Sequence, residues 1–291
     1  MRERLLRRAR EHGEDFQFVL RRYAMERLLF RLAQSPYRGR FILKGAMLYA
    51  VWGEVAYRPT RDLDLLGRGP VGLEPVAACF RALCLVEVAD DGLRFPSNSV
   101  RVAEIREQGE YGGIRVRLEA RLVTTRISLQ VDVGFGDVVV PDPVEVDFPT
   151  LLGGSAPRLR AYPRETVVAE KLHAVALFGE TNSRMKDFYD LFTLPRLFPF
   201  KGPTLTKAIA ATFARRRTPL PPSLPVRAAY FADDTRASQW RAYLSRDRLE
   251  AAPHNFTEVG EALRQFLARP YDALVASTVF QASWPPGGPW R

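Results

Sequence analysis

The amino-acid sequence predicts an α+β protein, with a helix-flanked sheet followed by a helical C-terminal half. Three observations predict it. Apolar residues recur at three- and four-residue spacing over residues 1–34 and again from 163 to 277, the period of helices with one buried face. Between them, residues 100–105, 114–120 and 127–133 alternate apolar and polar side chains, the period of half-buried strands. Residues 141–163 are rich in Pro and Gly and separate the two patterns. The division predicts a first domain over 1–155 and a second over 156–291.

Each element follows from its own pattern. Leu5, Leu6, Phe16, Val19, Leu20, Tyr23, Leu28, Leu29 and Leu32 lie on helical spacing, and His12-Gly13 breaks that run in two. The opposite face carries Arg7, Arg8, Arg10, Arg21, Arg22, Arg27 and Arg31, either solvated or facing phosphate. Phe41-Ile-Leu-Lys44 is an apolar run that ends at Gly45, and about two helical turns follow from Ala46. Asp62-Leu-Asp64-Leu-Leu66 alternates as a strand, Gly67 to Pro70 form a loop, and 71–85 is helical. The three alternating segments predict antiparallel hairpins, with Gly109 to Gly113 as the first turn. After residue 163 the pattern is wholly helical. Helices are expected from Pro163 to a stop at Gly179, from Arg184 to an end at Pro195, and over 204–216, 236–246 and 257–277, with 285–291 as a loose tail.

Whole-chain properties bound the function. A hydrophobic content of 46% over 291 residues supports a sizeable core in one large or two moderate domains. The net charge of +10, mostly arginine, favours a polyanionic partner, with nucleic acid first; a GC-rich genome that favours Arg over Lys is the plain alternative. Cys79 and Cys84 have neither disulfide-scaffold nor metal-site spacing, and are expected as reduced core thiols of a cytoplasmic protein. No apolar run approaches about 18 residues and no signal-peptide core follows the charged start, so no membrane partner is expected.

The chemistry is concentrated in a few carboxylates and lysines. Residues two apart on a strand share a face, so Asp62 and Asp64 point together while Leu63 and Leu65 enter the core. Two neighbouring carboxylates repel unless a cation lies between them, and a hard ion such as Mg²⁺ suits them; a solvated turn is the bland alternative. Asp132 lies in another apolar strand, either as a third acid or as a cap on the Gly134–Gly136 turn. Lys171 lies in an apolar helix, and Arg184, Lys186, Asp187 and Asp190 crowd the next one. A Lys and an Asp facing each other there fit either a triphosphate grip or a structural ion pair. His173 is two residues from Lys171 and off its face, hence structural. With only His12, His173 and His254, no Ser-His-Asp or Cys-His set is evident, and there is no P-loop.

Taken in order, these motifs are Lys44-Gly45-Ala46 leading a helix, Arg58-x-Thr60-Arg61-Asp62-Leu63-Asp64-Leu65, Asp132, Glu170-Lys171-Leu172, and Arg184-x-Lys186-Asp187-x-Tyr189-Asp190-Leu191. The set resembles the AbiEii/MenT family of nucleotidyltransferase toxins over roughly residues 15–275. The resemblance implies a DNA polymerase β-like nucleotidyltransferase domain with a helical C-terminal domain. It implies a toxin of a bacterial toxin–antitoxin pair that transfers nucleotides, often pyrimidines, from NTP to the 3′ acceptor end of tRNA and so blocks aminoacylation. The partners implied are tRNA, NTP and a cognate antitoxin, AbiEi-like or a kinase.

Carried over by residue, Asp62 and Asp64 would hold Mg²⁺, Lys171 would contact the triphosphate and Asp187 would be an essential acid. Lys44, Gly45, Ala46, Thr60 and Arg61 would join Lys171 in nucleotide binding, and Asp132 would match the third acid by placement. One departure stands out: the family turn is usually Gly-Ser or Gly-Gly, and Gly45-Ala46 supplies no hydroxyl to phosphate. Two other functions stay open on sequence: transfer to a small-molecule or protein hydroxyl, and a non-catalytic RNA-binding module.

Overall fold

The computed structural model describes residues 1–53, 60–105 and 112–291. Arg58 of the second motif, and Gly109 of the expected first turn, lie outside the described residues. The described chain divides into two compact units, one of residues 1–53, 60–136 and 144–161, the other of 137–143 and 162–291.

The first unit opens with α1 (Arg2–Glu11) and α2 (Phe16–Gln34), separated at His12-Gly13 as the spacing predicts. Gly13 turns the chain at φ +62°, and the Asp15 carboxylate caps α2 by accepting from Phe18 N. Next come β1 (Phe41–Lys44), a 3₁₀ turn Gly45–Met47, α3 (Leu48–Trp52), β2 (Asp62–Gly67) and α4 (Leu73–Cys84). Short β3 (Leu93–Arg94) precedes β4 (Arg101–Ile105), the long hairpin β5 (Gly113–Leu122) and β6 (Thr125–Phe135), and then β7 (Val144–Asp147) and β8 (Arg158–Ala161).

Among the described residues these strands form one eight-stranded sheet in the order β3-β5-β6-β2-β1-β8-β7, with β4 also paired to β5. The three alternating segments pair antiparallel as expected, β4 with β5 and β5 with β6, but the sheet as a whole is mixed. β2 pairs with β6, and β1 with β8, in parallel, because those partners are brought together by the fold and not by a tight turn. Residues 144–161 are not a bare link but supply β7 and β8. Leu63, Leu65, Val116, Leu118, Val131 and Val133 are buried, and α2 and α4 pack on the sheet. The opposite side chains of β2, β5 and β6 remain partly open to solvent.

Two arginines of the expected exposed helix face are instead buried. Arg27 Nε and Arg31 Nη1 donate to Asp91 Oδ2 at 2.9 and 2.7 Å. Burial by itself would raise Asp91, but the two guanidiniums hold its carboxyl below the ordinary value. Both thiols are pushed up by burial, Cys84 to about 11, so they are protonated at neutral pH.

The second unit carries α5 (Arg164–Phe178), α6 (Met185–Leu197), β9 (Phe200–Lys201), α7 (Gly202–Arg215), α8 (Ala228–Ala232), α9 (Asp234–Asp247), α10 (Phe256–Val275) and β10 (Ser283–Trp284). It departs from the sequence expectation in three places. It is not wholly helical, since β9 and β10 pair antiparallel. Pro195 does not end α6 but lies in its last turn, and its carbonyl accepts from Trp284 Nε1 and Gly287 N. Residues 285–291 are no loose tail: Trp290 stacks on Phe266 with ring centroids 5.6 Å apart and donates from Nε1 to the Phe266 carbonyl at 2.7 Å. No helix among the described residues is long and apolar enough to cross a membrane.

Candidate functional site

In the first unit, strand register builds a row of charges across the sheet. Lys44 on β1 is opposite Asp64 on β2, Asp64 is opposite Asp132 on β6, and Asp132 is opposite Arg115 on β5. Asp62 is opposite Gln130 one step along. Alternation dictates the shared face: buried Leu63 and Leu65 anchor β2, which leaves half-buried Asp62 and Asp64 on the other side.

The turn after β1 closes on this row. Gly45 has φ +71°, and a Cβ there would come within 2.7 Å of Asp64 Cγ, so only glycine lets the turn abut the Asp64 carboxylate. Ala46 is buried and offers only its backbone. Lys44 is half-buried and its ammonium reaches toward Gly134, whose Cβ position lies 3.9 Å from Nζ. Thr60 acts on the backbone: its hydroxyl donates to the Asp62 carbonyl at 3.0 Å and accepts from Asp62 N, shaping the entry to β2. Arg61 is exposed.

Asp132 is engaged. Arg115 Nε donates to Asp132 Oδ1 at 2.8 Å and Arg115 Nη2 to Oδ2 at 2.7 Å, a two-pronged fork. Gln130 Nε2 makes a longer contact of 3.5 Å to Oδ2. Hydrogen bonding to Asp132, joined by the charges of Asp132, Asp62 and Asp64, raises the guanidinium above its ordinary value. Sequence reasoning missed Arg115. The signal was available: in an antiparallel hairpin paired positions have a constant sum, so finding the Leu122–Thr125 turn would have matched Arg115 to Asp132.

The donor set can be tested against a divalent cation. Among the described residues, no three His, Cys, Asp or Glu side chains are grouped to hold a metal. Two carboxylates at alternate positions of one strand, beside the Gly45–Met47 turn, nonetheless fit a hard ion. Mg²⁺ commonly takes one or two carboxylates, keeps several waters and completes its shell with substrate phosphates.

The second unit holds the other predicted residues in one ion-pair cluster. Lys171 on α5 bonds through Nζ to Asp187 Oδ1 on α6, and Asp190 Oδ2 lies 3.2 Å from the same ammonium. Asp187 and Asp190 are three apart on a helix and therefore face the same way. Asp187 is fully buried. Its Oδ2 has Arg184 Nε at 2.8 Å as a charge partner but accepts no aligned hydrogen bond. Nearby in sequence, Glu170 pairs with Arg216 at 3.5 Å, and Arg216 Nη2 donates to Asp137 Oδ1 at 2.9 Å. His173 is buried between Thr218, Arg216 and Phe213, and burial followed by the Arg216 charge pushes it down to about 4. It is a neutral core residue, as its off-face position predicts.

The model of the nucleotidyl transferase AbiEii toxin of type IV toxin–antitoxin systems matches residues 27–269. The chain belongs to the AbiEii toxin family. As an AbiEii toxin it is a nucleotidyltransferase by family and one half of a toxin–antitoxin pair, which implies a cognate antitoxin. Two solved structures from Helicobacter pylori are similar in fold to this AbiEii chain. JHP933 is 15% identical over 90% of this chain and 93% of its own, with a TM-score of 0.49. A protein provisionally described as a nucleotidyltransferase is 14% identical over 90% and 96%, with a TM-score of 0.48. No curated protein matches the chain in sequence.

Proposed function

We propose that this AbiEii toxin is a Mg²⁺-dependent enzyme that transfers a nucleotide from NTP, a pyrimidine by resemblance, to the 3′ acceptor end of tRNA, so blocking aminoacylation and translation. The observation that carries the proposal is the Asp62–Asp64 pair on one face of β2, closed on one side by the Lys44–Gly45 turn. Two adjacent carboxylates abutting a glycine turn suit a cation that brings a triphosphate with it. In this reading the first unit is the DNA polymerase β-like domain, the second is the helical C-terminal domain, and the protein acts in the cytoplasm. The antitoxin is an AbiEi-like protein or a kinase.

The chain's residues then have distinct tasks. Asp62 and Asp64 hold Mg²⁺, which when bound neutralises phosphate charge. Lys44 and the amides that follow Gly45 lie against phosphate oxygens, and buried Ala46 leaves that task to backbone. Thr60 keeps Asp62 in position, and exposed Arg61 meets the nucleotide or the RNA. In the second unit Asp187 and Asp190 hold the ammonium of Lys171, the group the resemblance assigns to the triphosphate. Asp132, bound by Arg115, serves as a fixed negative charge beside the pair. In the reaction the terminal tRNA hydroxyl forms a bond to the α-phosphorus, the bond to the β-phosphate oxygen breaks, pyrophosphate leaves and the hydroxyl proton passes to solvent. The net charge of +10 favours the RNA acceptor and makes its binding salt-dependent.

The test is label transfer. Purified protein is incubated with total tRNA, Mg²⁺ and each labelled NTP, with Asp64→Ala alongside. Label on tRNA with the parent, falling at least about a hundredfold in the variant, is expected for loss of a metal-holding carboxylate. Label on a protein or aminoglycoside hydroxyl in parallel reactions, with none on tRNA, overturns the acceptor. Equal transfer by Asp64→Ala overturns the site.

A further inference from the structure

We infer that Arg115 is a positioning residue that holds Asp132 out of the metal-binding set, so that the nucleotide-free protein offers a divalent cation two carboxylates and not three. This rests on the metal reading of Asp62 and Asp64 given above. The register places Asp132 directly beside Asp64, on a neighbouring strand about 4.8 Å away by ordinary sheet spacing. Three carboxylates so placed would repel one another or gather around an ion. The sheet supplies another solution, because Arg115 comes opposite Asp132 on the far side and takes both of its oxygens. A guanidinium stays charged at any pH the protein meets, and its fork matches a carboxylate in a way a single ammonium does not.

The lock is local and reachable. The Arg115 and Asp132 side chains are 33% and 21% exposed, so a cation competing for Asp132 can approach, but it must displace two aligned hydrogen bonds to do so. Gln130, at 3.5 Å, is too distant to hold the carboxylate alone. The functional consequence is coupling. With Asp132 withheld, the remaining ligands for the ion come from the incoming triphosphate, so metal and nucleotide bind together and the protein holds little divalent cation without its substrate.

Mn²⁺ binding to the nucleotide-free, full-length protein, followed by electron paramagnetic resonance, tests this without any activity assay. Arg115→Gln is expected to bind Mn²⁺ about tenfold more tightly than the parent, the scale on which groups behind metal ligands act. Arg115→Lys, which keeps the charge but loses the fork, is expected to gain less and serves if the glutamine variant does not fold. Adding Asp132→Asn to either variant should cancel the gain. Loss of a merely structural Arg115–Asp132 pair would lower the melting temperature and leave Mn²⁺ affinity alone. Unchanged affinity in both Arg115 variants, or a gain that survives Asp132→Asn, overturns the inference while Asp62→Asn still abolishes Mn²⁺ binding. Mn²⁺ binding that is indifferent to Asp62→Asn, or absent from every variant, overturns the metal reading and this inference with it.

Discussion

Gly45 shows how much one missing side chain decides. Its φ of +71° is a region that other residues enter at a cost of about 1–2 kcal/mol, and its Cβ position is occupied by the Asp64 carboxylate. Gly45→Ala is therefore expected to lose at least about 1–2 kcal/mol of stability in urea unfolding and to displace Asp64. An alanine variant as stable as the parent would contradict the close approach. At this scale the sequence is most legible where chemistry depends on near neighbours. The common face of Asp62 and Asp64 follows from a period of two, and the off-face position of His173 from helix geometry. The state of Asp132 was not legible, since cap and third acid fit its neighbours equally well. Its real partner, Arg115, is 17 residues away in the chain.

Elements were predicted well where the pattern was long. The break at His12-Gly13, the strand carrying Asp62 and Asp64, and the helices α5, α7, α9 and α10 stand where periodicity puts them. The misses are short or depend on distant partners. β3, β9 and β10 have two residues each, too few for any alternation to show. The Val123-Thr124 turn that sets the β5–β6 register lacks the Asn-Gly or Asp-Gly signal of a tight hairpin, and Val123 takes a φ of +56° there. The C-terminal segment reads as loose because Pro and Gly fill it, yet its Trp290 joins Trp284, Phe266 and Phe280 in an aromatic cluster. Trp290→Ala is expected to cost about 3 kcal/mol in chemical denaturation, from lost burial and a lost hydrogen bond to the Phe266 carbonyl. An unchanged unfolding midpoint would restore the view of a loose tail.

For the molecule as a whole, stability should depend on pH through a carboxyl that takes no part in the proposed chemistry. Glu26 is 1% exposed and accepts from Leu151 N at 2.8 Å. Burial pushes it from 4.5 up to about 7, against the Leu151 hydrogen bond and the nearby charge of Arg27. The folded value lies above the unfolded one, so the protonated form's contribution is complete below about 4.5 and is lost as pH rises through about 7. The loss is at most about 3.5 kcal/mol, at about 1.4 kcal/mol per unit. Glu26→Gln keeps an acceptor for Leu151 N and should flatten the decline in urea midpoint between about pH 5 and 8. Parallel curves for parent and variant would assign the pH dependence elsewhere.

The sequence by itself determined the α+β class, the paired carboxylates, the Lys171 and Asp187 motifs, and the family that the match over 27–269 establishes. These are properties of near neighbours and of ordered motifs, which a linear text carries whole. Tertiary structure alone decided that the sheet is mixed, that Arg27 and Arg31 are buried against Asp91, and that Asp132 faces Arg115 while standing beside Asp64. Each of these depends on which strand or helix lies next to which. That choice is made by burying apolar faces over long separations in the chain, and local periodicity does not record it.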